Sequence, residues 1–131
     1  MDETGLLMKE AEAKLISATF LFEKSLYSDA ISRAYYSMHY SARALLCTRN
    51  IFPKTHKGVI AQLGLEFVKE GVIEEYYLKA ISTAREIRER ADYGIGYEFT
   101  QEEAESVIEY AQRFLGMVKK AINEFSSMKR D

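Results

Sequence analysis

Residues 29–47 read DAISRAYYSMHYSARALLC, and the fold turns on how this stretch distributes its side chains. At about 100° per residue, Ala30, Ile31, Ala34, Tyr35, Met38, Ala42, Leu45 and Leu46 fall on one side of a helix. Arg33, Tyr36, His39, Tyr40, Arg43 and Cys47 fall on the other, with Ser37, Ser41 and Ala44 along its edge. A solvated face ordinarily carries Glu, Lys, Gln and Asp. Two guanidinium groups, two phenols and an imidazole instead suit a second buried surface or a binding site. Tyr36, Ser37, Tyr40 and Ala44 are accordingly the expected contacts with a second copy of the chain, and Tyr35 is expected in the core.

Working outward, the surrounding segments repeat the helical period. From Glu3 to about Ser25, Leu7, Ala11, Leu15, Ala18 and Phe22 recur at spacings of four and three, predicting an amphipathic helix about 30 Å long. Tyr27, Ser28 and Asp29 make a short break in which Ser28 or Asp29 is the expected cap, so the first two helices should be antiparallel neighbours. The second helix, 29–49, should stop ahead of Pro53. Thr55 is the predicted N-cap of a short third helix striped by Val59, Ile60, Leu63, Phe67 and Val68 and ended by Gly71. A fourth helix is predicted over 72–93. Thr100 and Glu103 read as a capping box opening a fifth, which runs to about Ser126 before a tail, MKRD, expected to fray.

The 131 residues, 47% hydrophobic and 29% charged, suit one domain, 1–131, with a substantial core. A single proline and seven glycines are too few for the turns of an all-β protein. The expected fold is all-α, an antiparallel up-and-down bundle of four long helices and one short one. A net charge of −2 gives no global attraction to nucleic acid, so phosphate recognition needs a local cationic cluster. The lone Cys47 excludes an intrachain disulfide. No apolar run approaches membrane-spanning length and the N-terminus lacks signal-peptide character, which together predict a soluble, cytoplasmic protein without a membrane partner.

Little conventional chemistry is visible. Helical di-metal sites use Glu-x-x-His, whereas Tyr36 and Pro53 stand three residues before His39 and His56; no metal or cofactor is expected. Cys47 lies about 12 Å along the helix from His39, too far for direct proton transfer. The loop GIGYEF lacks the lysine of a phosphate-binding loop. What remains is a cationic set: Arg33 and Arg43 on the second helix, Arg85, Arg88 and Arg90 on the fourth, and Lys54, His56 and Lys57 between them. Arg88 can pair with Asp92 one turn on, and Arg33 is expected to form a buried pair with Asp92 if helices two and four face each other. Lys54, His56 and Lys57 beside a helix N-terminus suit phosphate.

RAYYSMHYSARALL (33–46), PKTHKGVIAQLGLEFVKEG (53–71) and RERADYG (88–94), followed by TQEEAESVIEYAQRF, together resemble the small HEPN proteins of prokaryotes, named for a nucleotide-binding domain shared by higher eukaryotes and prokaryotes. The resemblance covers nearly the whole chain. It implies a helical bundle, commonly homodimeric, often encoded beside a minimal nucleotidyltransferase in toxin–antitoxin pairs, and in many members a metal-independent ribonuclease. The family's catalytic signature is Arg, four to six residues, then His. Arg88 matches, but Asp92 or Tyr93 stands where the histidine belongs, so the implied activity shifts from cleavage toward binding a nucleotide, RNA or a protein. Three readings stay open. A binding protein would use Arg33, Tyr40, Arg43, Lys54, His56 and Arg88 for phosphate and stacking; a ribonuclease would join Arg88 to His39 or His56; an interaction module would dock a partner on its tyrosine face.

Overall fold

A computed structural model describes residues 2–129. Asp2 caps the first helix, α1 (Glu3–Glu23), its Oδ1 accepting from the Gly5 amide at 2.8 Å. Helix α2 (Tyr27–Cys47) follows, then the short α3 (His56–Leu63), which continues into a π-helical turn, Gly64–Val68. Helices α4 (Glu75–Tyr93) and α5 (Gln101–Lys129) complete an all-helical chain. The four long helices and one short helix expected from periodicity are all present, and among the described residues there is no strand. Of the tail expected to fray, Met128 and Lys129 instead continue α5 as helix, while Arg130 and Asp131 lie outside the described residues.

Helix boundaries differ from the predicted ones for local reasons. Neither Ser28 nor Asp29 caps α2; the reversal is made earlier by Ser25, whose φ of 62° is left-handed. Around it the Leu26 amide donates to the Leu21 carbonyl and the Ser25 amide to that of Phe22, a Schellman ending that satisfies the last carbonyls of α1. The same bonding ends α2: Asn50 takes φ 59° and the Ile51 amide reaches back to Leu46, so the helix stops before Pro53 exerts any influence. Gly71, at φ 74°, closes the π-helical turn likewise. Thr55 and Thr100 do cap their helices: Thr55 Oγ1 accepts from the Gly58 amide, and Thr100 and Glu103 exchange side-chain-to-amide bonds at 3.1 Å in both directions.

Helix α2 is the axis of the bundle, packed against α1, α4 and α5. Every residue of its predicted core face is fully buried, and Ser37, Ser41 and Ala44 are buried as well. Small Ala11 and Ala18 of α1 bring that helix close enough for Ser37 Oγ to donate to the Ala11 carbonyl at 2.8 Å. Phe67, Phe114, Ile81 and Leu63 fill the remaining centre. Ser37 and Ala44 are therefore interior contacts of α2 within the protomer and are removed from the expected subunit interface: α1 occupies the face they would have offered. Among the described residues no helix is long and apolar enough to cross a membrane.

Candidate functional site

Ser28, Ser32 and Tyr36 are spaced by four on α2 and face α4, which runs antiparallel to them. Ser28 Oγ donates to the Ala91 carbonyl at 3.1 Å, Ser32 Oγ to Asp92 Oδ1 at 2.7 Å, and Arg88 Nη1 to the Tyr36 hydroxyl at 3.1 Å. This register corrects one expectation. Arg33 does not reach Asp92, because it lies 100° around α2 from Ser32 and points to solvent. Asp92 is held by Ser32 and by Arg88, whose Nε is 3.2 Å from Asp92 Oδ2. That ion pair is close but not aligned, so the buried Nε has no acceptor in line with its N–H.

Arg88 is the centre of the cluster. Its side chain is only 12% exposed, and its guanidinium carbon lies 5.4 Å from the Tyr35 ring centroid and 5.2 Å from that of Tyr36, within cation–π range. Tyr35 is enclosed, and its hydroxyl lies 2.8 Å from His56 Nδ1. His56, the first residue of α3, in turn stacks on His39 with ring centroids 4.1 Å apart and planes inclined by 19°. Tyr40 meets His39 edge-on, and Arg43 sits 5.6 Å over the Tyr40 ring. The cluster is thus built by two turns of α2, the start of α3 and the last turns of α4.

Burial and surrounding cations act together on its titratable groups. Burial, reinforced by His56, Arg43 and Arg88, lowers the His39 pKa to about 3. Burial, then Arg88, Arg85 and Arg43, also lowers that of His56, opposed weakly by Glu89. Burial pushes the Tyr35 phenol up to about 12 against the pull of Arg88. At neutral pH the cluster therefore holds two neutral imidazoles and a protonated phenol beside fixed guanidinium charge. His39 Nδ1 is buried without a hydrogen-bond partner.

Of the residues singled out in the sequence, Arg88, His39, His56, Tyr36, Tyr40 and Arg43 converge here. Arg33 and Lys54 are exposed and make no ion pair or side-chain hydrogen bond among the described residues. Two participants escaped the sequence reading. Tyr35 looked like ordinary core, although a buried phenol needs a polar partner and thereby signals one. Ser32 was hidden by the more conspicuous Arg33 beside it. Gly94 ends α4 next to the site; a Cβ there would lie 2.6 Å from the Arg90 carbonyl oxygen, so only glycine permits that turn.

Comparison with known proteins gives consistent results. The family model described as HEPN domain matches residues 4–121. The candidate toxin MJ0605 of Methanocaldococcus jannaschii is 47% identical over 123 residues, covering 94% of this chain and 91% of that protein. A second candidate toxin of that organism, MJ0142, is 37% identical over 90% of this chain and 80% of its own length. Among solved structures, TT1696 from Thermus thermophilus superposes with a TM-score of 0.80 at 17% identity, covering 92% of this chain and 99% of that one. ST0689, described as an archaeal HEPN homologue, gives 0.75 at 19% identity over 93% and 99%. These two show the fold, and the family match over most of the sequence, with relatives of such identity and coverage, places the chain in the HEPN family, to which it belongs.

Proposed function

We propose that this HEPN protein binds RNA, or a nucleotide presenting the same phosphate chemistry, at the Arg88 cluster, and that it forms the toxin half of a toxin–antitoxin-type pair with a minimal nucleotidyltransferase. The observation that carries the binding reading is the placement of buried Arg88 against Tyr36 and the stacked His39–His56 pair. A guanidinium offers phosphate a planar fork of donors, and aromatic faces offer bases a stacking surface. Because the whole chain carries a formal charge of −2, such a cluster must supply the attraction locally. The toxin reading is supported by the names of the two M. jannaschii relatives. Fluorescence anisotropy of a short labelled single-stranded RNA, measured in EDTA at low salt, tests it. Arg88→Ala is expected to weaken binding about tenfold or more, with Arg88→Lys intermediate because a point charge replaces the fork. Equal affinity for wild type and Arg88→Ala, both folded by circular dichroism, would reject the site. A second reading, metal-independent cleavage of RNA, draws on two neutral imidazoles lying beside a guanidinium.

A homodimer also belongs to this reading, through a face other than the one first expected. The outer face of α1 exposes Leu6, Ile16 and Phe20, with Ile16 72% exposed, and a groove lined by Leu15, Ile16, Phe20 and Leu115 runs between α1 and α5. Lys9 and Glu23 each lie seven residues from Ile16 on the same face. Two antiparallel copies of α1 crossing at Ile16 would therefore set Lys9 against Glu23 twice, the self-complementarity a two-fold interface requires. Light scattering after gel filtration is expected to find a dimer, and Ile16→Glu a monomer. A wild-type monomer at tens of micromolar removes the idea.

A further inference from the structure

We propose that Tyr35 is a positioning residue that fixes the neutral His56 ring in its Nε2–H tautomer, so that His56 presents a hydrogen-bond donor to a phosphate oxygen and not a base to a hydroxyl. The ligand in this statement rests on the RNA-binding reading above; the tautomer does not.

Tyr35 is fully enclosed, and its only hydrogen-bond partner among the described residues is His56 Nδ1, at 2.8 Å. Two arrangements fit that distance. Either the phenol donates and Nδ1 accepts, or Nδ1–H donates to the phenol oxygen and the buried O–H is left with no acceptor. An orphaned buried donor is costly enough to favour the first arrangement by a factor on the order of ten or more. A neutral imidazole carries one N–H, so when Nδ1 accepts, the proton is on Nε2. His56 is held neutral by burial and by Arg88, Arg85 and Arg43, which disposes of the doubly protonated ring. His56 is half-buried, and its Nε2 is neither bonded to the protein nor among the enclosed unpartnered atoms, so it opens to solvent.

The neighbouring ring behaves the same way. His39 Nδ1 is enclosed without a partner, and an enclosed bare lone pair is tolerated better than an enclosed N–H. Its proton accordingly belongs on Nε2. Around the two stacked rings the other polar groups are donors as well: Arg43 and Arg88 have only N–H groups, and the Tyr36 hydroxyl, having accepted from Arg88, keeps its own O–H to give. The carboxylates at hand are engaged, Asp92 by Ser32 and Arg88 and Glu89 by Arg85, whose Nη2 is 3.4 Å from Glu89 Oε1. A set so rich in donors, with its carboxylates already engaged, is complementary to an oxyanion such as a phosphodiester.

The test reads the tautomer directly. Long-range proton–nitrogen correlation spectra of the labelled full chain near pH 7.5 are expected to show His56 with a pyridine-like Nδ1 and a pyrrole-like Nε2. Tyr35→Phe, with its fold checked by circular dichroism, is expected to give His56 signals averaged between tautomers. RNA affinity should then fall only about twofold, in proportion to the lost donor population. His56→Gln keeps a side-chain N–H but can never be a base; it is expected to bind the labelled RNA within about threefold of wild type, whereas His56→Ala loses about tenfold. A pyrrole-like Nδ1 in the wild type, or an unchanged tautomer in Tyr35→Phe, overturns the role of Tyr35. Equal losses in His56→Gln and His56→Ala overturn the donor role. Should wild type show the expected tautomer and bind no RNA, the RNA reading fails and the donor role with it, while the Tyr35–His56 tautomer stands.

Discussion

Lowering the pH from 7 to 5 is expected to destabilise the protein by about 2 kcal/mol through His39 alone. In the unfolded chain His39 takes up a proton near 6.5; in the folded protein burial beside His56, Arg43 and Arg88 delays that until about 3. Between these values the unfolded state binds more protons than the native state, so stability rises with pH and falls on acidification. The loss begins near pH 6.5, grows by about 1.4 kcal/mol per pH unit and levels off near 3. His56, lowered in the same direction, adds to it. Because the chain has only two histidines and carboxylates titrate near 4, the window from pH 6.5 to 5 isolates these rings. Urea unfolding at several pH values in that window gives the slope. His39→Phe should leave only the shallower slope due to His56, whatever its effect on absolute stability, and a wild-type slope indistinguishable from that of the variant would show that His39 titrates normally.

The core of this molecule was legible because it depends on period alone. The apolar face of α2, the Thr55 cap and the Thr100–Glu103 box each follow from residue spacing within one helix, and each is found where spacing puts it. The site was only half legible because its contacts depend on register between helices. Periodicity identifies the side of α2 that carries Arg33, Tyr36 and His39. It does not say which of Ser32 and Arg33 stands opposite Asp92, and a shift of one residue, 100°, decides between a hydrogen bond and a solvated guanidinium. Tyr35 and His56 are 21 residues apart across the loop, so nothing local announces their bond. The exposed stripe on α1 was missed for a different reason. Leu7, Ala11, Leu15 and Ala18 already make a sufficient core face, and Ile16 and Phe20 read as mere irregularities beside it until that side of the helix is seen to be uncovered.

The second large effect concerns cleavage. A 2′-hydroxyl attacks the adjacent phosphorus as a base removes its proton, while the departing 5′-oxygen receives a proton from an acid. Here both imidazoles turn N–H groups toward the site, the Asp92 carboxylate is tied to Ser32 and Arg88, and that of Glu89 is paired with Arg85. With no free acceptor for the proton, the unmodified protein is expected to be a poor ribonuclease. Asp92→His would supply one. Position 92 lies one turn beyond Arg88 on the same face of α4, within reach of Ser32, and general base catalysis of this kind contributes about 10²-fold or more. Tyr93→His should gain much less, because position 93 is rotated away from Arg88 and is 77% exposed. Cleavage of labelled RNA in EDTA, followed on gels, should rise about a hundredfold in Asp92→His and return to the wild-type level when Arg88→Ala is added, since the base would then act without the guanidinium that steadies the phosphorane charge. Efficient metal-independent cleavage by the unmodified protein, abolished by His39→Ala or His56→Ala, would contradict this account and make one of the stacked histidines the base.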